Sequence, residues 1–230
     1  MTIKKQASTL QLRFKGNPDS YTPSGGSAAP TISRSTTTGD SGNNCGSTMT
    51  CTFSPAPVSG VLLIAAVYDN TGVTPSAPTG GGAAWTEFST GTSVRLWYKI
   101  ANGAEPTGYN MTYSGVAKAD ATTFTMLEFT GNFSTPLDAN STTATSTTTC
   151  PTITTLQNFE LALAFNMNTS IFALAAPASW TLVRSDLNGG ISGCTNISIA
   201  SQIMNAAGAT GTAVWSATGT KVFTLGIRSI

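Results

Sequence analysis

The sequence contains no histidine. The side chain best suited to general acid–base work near neutrality, also the commonest metal ligand, is therefore missing. Charge is scarce: 9% of the 230 residues are Asp, Glu, Lys or Arg, against roughly 25% in soluble domains. The 11 basic and 10 acidic residues nearly cancel, so net charge points to neither nucleic acid nor a membrane surface as partner. The four cysteines, Cys45, Cys51, Cys150 and Cys194, include no CxxC pair, which leaves zinc a weak reading. There is no GxSxG elbow and no phosphate loop. Asp69, Glu87, Glu105, Asp120, Glu128, Asp138, Glu160 and Asp186 would serve as glycosidase carboxylates only if folding set two of them roughly 5–10 Å apart. The expectation is a non-enzymatic chain with no cofactor and no metal.

Long apolar runs are also missing, so no segment reads as a membrane span. The opening "MTIKKQASTLQLRFKG" has neither the apolar core nor the cleavage site of a signal peptide. This predicts synthesis in a cytosol, with release by lysis or a dedicated route. No window carries a sustained 3.6-residue apolar period. What is abundant is Thr, Ser, Asn, Gly and Pro, which favour strands and turns over helices. The fold class predicted is all-β.

Residues 1–44 differ from the rest and predict an N-terminal arm and linker. Leu10, Leu12 and Phe14 alternate with Gln11, Arg13 and Lys15, the pattern of one strand. "GNPDSYTPSGGSAAP" follows, a Gly-, Pro- and Ser-rich spacer. A strand on such a spacer has no local partner, so it can join this domain's sheet or a neighbour's edge, the alternative being a frayed tail. Leu10, Leu12, Arg13 and Phe14 are accordingly interface candidates, and the arm is expected to anchor the protein.

Residues 45–230 predict a single β-sandwich or jelly-roll-like domain made of two pseudo-repeated halves, about 45–131 and 149–230. "TCTFSPAPVSGVLLIAA" precedes "TCPTITTLQNFELALAF" by 99 residues. "PTGGGAAWTEF" returns as "PASWTLV", matching Trp85 with Trp180. "ANGAEPTGYNMTYSG" returns as "AAGATGTAVWSATG", and "TTFTMLEF" as "KVFTLGIR". Four matches in one order argue for a repeat. Strands are expected near 58–68, 93–101, 108–114 and 121–130, then near 157–167, 195–204, 211–217 and 220–229. Eight strands in matching halves suit two sheets around a shared core, with two separate domains the runner-up. Cys45 and Cys51 flank a short Gly-containing loop and are a candidate disulfide in an oxidising medium.

In "VRLWYKI", Val94, Leu96, Tyr98 and Ile100 alternate with Arg95, Trp97 and Lys99. If the first set faces the core, the second faces away. A tryptophan between two cations on an outer face fits stacking on a sugar ring. It fits burial under a loop, the arm or a neighbouring subunit better, since Trp and Arg are enriched at interfaces. Arg95, Trp97 and Lys99 therefore join the interface candidates, with Trp97 expected to be covered by protein.

The order "GVLLIAAVYDN", "PTGGGAAWTEF", "VRLWYKIANGAEPTGYNMTYSG" and "MLEFTG", then "ELALAF", "PASWTLV" and "AAGATGTAVWSA", resembles a β-domain of tailed-bacteriophage virion structural proteins of the head decoration or tail accessory type. The likeness covers residues 45–230 and leaves out the arm. The triple glycine is longer than the usual tight turn in that family. The resemblance implies display or attachment on a particle, and supplies no site residues. It implies a capsid decoration or head accessory protein that binds the shell through its arm and β-domain edges. Its partners would be other virion proteins, the major capsid protein or neighbouring copies. A homo-oligomer, with a trimer among the options, would sit on the virion after synthesis in the bacterial host cytoplasm, with no nucleic acid or membrane partner. Alternatives are a tail, collar or fibre component that binds host surface glycans, and a bacterial surface adhesin module.

Overall fold

The computed structural model describes residues 28–39, 48–69, 74–89, 94–112, 122–140, 144–169, 173–185 and 195–230. Among these residues the chain is all-β, with strands and no helix. In chain order the strands are β1 (Thr31–Gly39), β2 (Thr48–Thr52), β3 (Leu62–Asp69), β4 (Thr86–Ser89) and β5 (Val94–Ile100). Next come β6 (Gly108–Thr112), β7 (Thr122–Thr130), β8 (Leu137–Asn140), β9 (Ala144–Thr149) and β10 (Thr154–Thr155). The last five are β11 (Glu160–Asn168), β12 (Thr181–Ser185), β13 (Asn196–Met204), β14 (Gly208–Ala209) and β15 (Val214–Ile227).

Two antiparallel sheets carry the fold. One has the order β1-β7-β3-β5-β4, the other β12-β13-β11-β15-β8, with β9 also pairing β15. Their inner faces enclose one core, in which Leu62, Ile64, Leu96 and Phe129 meet Leu163, Phe165, Ile199 and Leu225. The rings of Phe165 and Phe223 stack at 4.4 Å. This is a β-sandwich whose core draws on both halves of the chain.

Each sheet also has a second, outer core. Strands β2 and β6 form a two-stranded ribbon that lays Met49, Cys51, Phe53 and Tyr109 over Leu63, Val67, Trp97 and Phe124. On the other sheet, Cys150, Leu174, Trp180 and Trp215 cover Ala162, Ala164 and Ala200. Because both faces are covered, β3 and β11 are buried along their whole length, as their near-continuous apolar sequences require.

The two sheets have corresponding connectivity. The order β7-β3-β5-β4 matches β15-β11-β13-β12, and Trp85 and Trp180 each pack on an outer face. One sequence match shifts. Val67 pairs Phe124, whereas Asn166 pairs Val222, so Val222 rather than Phe223 stands where Phe124 stands. A one-residue slip flips every side chain, and Phe223 indeed faces the central core while Phe124 faces the outer one.

Several boundaries also move. The sheet begins at Thr31, not at residue 45, because β1 runs beside β7 from Thr31↔Thr130 to Gly39↔Thr123. Its Thr-rich sequence suits an edge strand but lacks the apolar alternation that would announce it. The strands expected at 211–217 and 220–229 are one long β15. The polar link between the halves contributes β8 and β9, both paired to β15.

Candidate functional site

Of the interface candidates, Leu10, Leu12, Arg13 and Phe14 lie outside the described residues. Trp97 is 2% exposed and belongs to the outer core beneath the β2–β6 ribbon. Alternation placed it on the outer face; there it is covered by protein, as expected, and the cover is the chain itself. Arg95 places its guanidinium 5.2 Å from the Trp97 ring and donates from Nε to Glu87 Oε1 at 2.7 Å.

Lys99 is the larger correction. It is 2% exposed and points into the outer core, not toward a partner. Its Nζ donates to Glu105 Oε2 at 2.6 Å and to the Gly80 carbonyl at 2.9 Å. It also sits 4.7 Å from the Trp85 ring centre and 4.9 Å from that of Tyr109. Tyr109 Oη donates to the same Glu105 oxygen at 2.8 Å. Burial first, then the adjacent Glu105, pushes the Tyr109 hydroxyl well above its ordinary pKa. The charge pair is structural, shielded and fully partnered. Trp97 and Lys99 are thus unavailable to another molecule in the folded chain, and the sugar-stacking platform disappears with them.

Cys45 lies outside the described residues, so the candidate disulfide does too. The Cys51 thiol is buried and donates to the Phe124 carbonyl at 3.2 Å. Cys150 is buried on the opposite outer face and donates to the Phe165 carbonyl at 3.4 Å. Burial pushes its thiol up to about 11, so it stays protonated and unreactive near neutrality.

Among the candidate acids, folding brings Asp138 and Glu160 together. Asp138, on β8, accepts the Leu156 amide on Oδ2 at 2.7 Å and Arg228 Nη1 on Oδ1 at 3.1 Å. Glu160, at the start of β11, is fully buried and accepts the Gln157 amide on Oε1 at 2.8 Å. Among the described residues its Oε2 has no donor. Burial, then the neighbouring Asp138 carboxylate, raises Glu160 to about 7. Two carboxylates close together cannot both ionise cheaply, so Glu160 is the one that keeps its proton into the neutral range. Asp120 and Asp186 lie outside the described residues. Glu128 is held below the usual carboxylate range: burial would raise it, but hydrogen bonds from Arg34 and Ser33 outweigh that.

The open features lie elsewhere. A cleft of about 760 Å³ separates the edges of the two sheets, bounded by Pro30–Ser35 on one side and by β12 and β13 on the other. Ile32 and Val183 pack at its floor against the central core. Ile203 lines it at 54% exposed. At one point Arg184 Nη1 spans the gap to Ser35 Oγ at 3.1 Å. Among the described residues, β1 has a ladder partner only in β7, and β12 only in β13, so each offers one open strand edge. Sequence reading missed this cleft. The usable signal was Ser201, a polar residue in the inward series Ile197, Ile199, Ser201, Ile203, where the core gives way to the opening.

The second open feature is one end of the sandwich. A hydrogen bond from Thr123 Oγ1 to the Thr195 carbonyl ties the starts of β7 and β13 together. The pairings Leu62↔Phe129 and Glu160↔Met204 then put the starts of β3 and β11 at the opposite end. There Val58, Leu156, Phe159, Ile203 and Ile230 are 65%, 68%, 40%, 54% and 55% exposed, five of the seven exposed large apolar side chains among the described residues. Phe159 adopts a φ of 60°, a conformation rare for a bulky residue.

No protein-family model, curated protein or solved structure matches this chain.

Proposed function

We propose that this chain is a non-enzymatic structural protein of a bacteriophage virion, a capsid decoration or head accessory subunit that attaches to the shell. The observation that carries the reading is the apolar end of the sandwich. In a chain so poor in charge, exposed Val58, Leu156, Phe159 and Ile203 fall at one end, and exposed apolar surface of this kind marks interaction sites. Phe159 holds its strained backbone while staying 40% exposed, which suggests that its side chain has a use outside the fold. The doubly covered sheets support the same reading: they make a stiff body, and virion lattices join stiff bodies by many weak contacts.

The tail, collar or fibre reading drew its particular support from an open Trp97, and Trp97 is enclosed. No other observation favours glycan binding over attachment. The test is composition and occupancy. Virions purified from cells that make the chain should contain it in fixed ratio to the major shell protein, by mass spectrometry and immunogold labelling. A Leu156→Ser, Phe159→Asn variant should stay folded by circular dichroism yet lose most of its occupancy. Absence from the particle, or undiminished occupancy of the variant, sinks the reading.

A further inference from the structure

We infer that the cleft between β1 and β12 is a strand-docking site, and that its occupant is residues 9–15 of a second copy of this chain. This deepens the attachment reading by naming the contact that links neighbouring copies. The shape of the site selects an extended segment. Its two rims are strand edges, β1 and β12, each paired on one side only among the described residues. A strand laid along Thr31–Ser35 would gain main-chain hydrogen bonds, the usual source of affinity in strand addition. Ile32 and Val183 give the floor an apolar strip with exposed Ile203 beside it, while Ser33, Arg34, Thr181 and Ser201 make the rest of the lining polar.

The segment "TLQLRFK" has the matching pattern. As a strand it sets Leu10, Leu12 and Phe14 on one face and Gln11, Arg13 and Lys15 on the other. The apolar face meets the floor, and the polar face meets water at the open mouth. No other stretch outside the described residues alternates in this way over six positions.

The connection argues for a neighbour's cleft. The chain joins the fold at Ala28, whose carbonyl accepts from Ser229 Oγ at 2.7 Å, beside the Pro30 end of the cleft. To lie antiparallel to its own β1, the segment would need a structureless return over residues 16–30, at or beyond the roughly 12–15 residues such loops reach. Pro18, Pro23 and Pro30 fall within it. Each fixes φ and drives the preceding residue toward extended backbone, which suits a spacer. Twelve extended residues span about 40 Å, enough to cross to an adjacent molecule. An arm given to one neighbour while the cleft receives another's is a head-to-tail contact, which closes into a ring or continues as a lattice.

The experiment uses the full chain with Cys45 and Cys194 replaced by Ser. One preparation carries Phe14→Cys, another Ile203→Cys, and a third carries both. Mixing the first two under mild oxidation should give a disulfide-linked dimer. Sedimentation should show oligomers of the parent chain that revert to monomer when residues 2–27 are deleted, with the circular dichroism of the sandwich retained. A link formed only within single chains of the third preparation overturns the second-copy occupant. No link in any preparation overturns the docking site. A chain that links as described but is missing from virions keeps this inference and discards the virion reading; occupancy on virions without the link does the reverse.

Discussion

At the residue scale, Lys99 decides most. It is a lysine on a strand that reads as solvent-facing, yet its ammonium is enclosed by Glu105, the Gly80 carbonyl and two aromatic faces. Breaking a buried pair by removing one partner strands the other charge, at a cost of about 3–5 kcal/mol. Lys99→Met is therefore expected to lower the urea unfolding free energy by about that much. Combining Lys99→Met with Glu105→Leu and Tyr109→Phe should recover most of the loss, because no uncompensated charge or hydroxyl remains. If the single variant costs no more than an exposed substitution, the pair is not the keystone described. Gly81 belongs to the same assembly. Its φ is +79°, and a Cβ there would overlap Glu105 Oε2 and Lys99 Nζ. Gly81→Ala is expected to destabilise through both strain and collision, read as a lower melting temperature.

At the element scale, the Asp138–Glu160 pair joins parts that are far apart in sequence. Asp138 lies on β8, Glu160 opens β11, and Arg228 follows β15. Folding raises the Glu160 pKa from 4.5 to about 7. Between those values the folded chain holds a proton that the unfolded chain has released. Stability from this group is therefore fully present below about pH 4.5 and is lost as pH rises through about 7. The loss is on the order of 1–3 kcal/mol. Urea midpoints should fall from pH 5 to pH 8, and Glu160→Gln should flatten that slope, since an amide does not titrate over this range. An unchanged slope in the variant would assign the pH dependence to another group. Glu128, with its lowered pKa, acts in the opposite direction and in a different window, below its ordinary value.

At the scale of the whole molecule, the central core belongs to both halves. Leu62, Leu96 and Phe129 on one sheet need Leu163, Phe165 and Leu225 on the other to leave water. Each sheet's outer ribbon covers one face only, so a single half would expose a full apolar face. A fragment of residues 28–135 should accordingly show no cooperative melting transition by calorimetry, while the full chain melts as one unit. A sharp, independent transition in the fragment would instead establish two self-sufficient domains.

The sequence by itself determined the class and the sidedness of this protein. Thr-rich composition and two-residue alternation are local properties, so the all-β fold and the outward placing of Trp97 on its strand were legible from them. Alternation assigns a residue to a face of a sheet, but not what lies beyond that face. The β2–β6 ribbon that turns Lys99 inward, the polar edge strand β1, and the meeting of Asp138 with Glu160 all depend on pairings between distant segments. So does the cleft, which exists because β1 and β12 stand apart at one side of the sandwich. Those were decided only by tertiary structure, because hydrogen bonding between strands depends on spatial register and leaves no mark in the residues that lie between them.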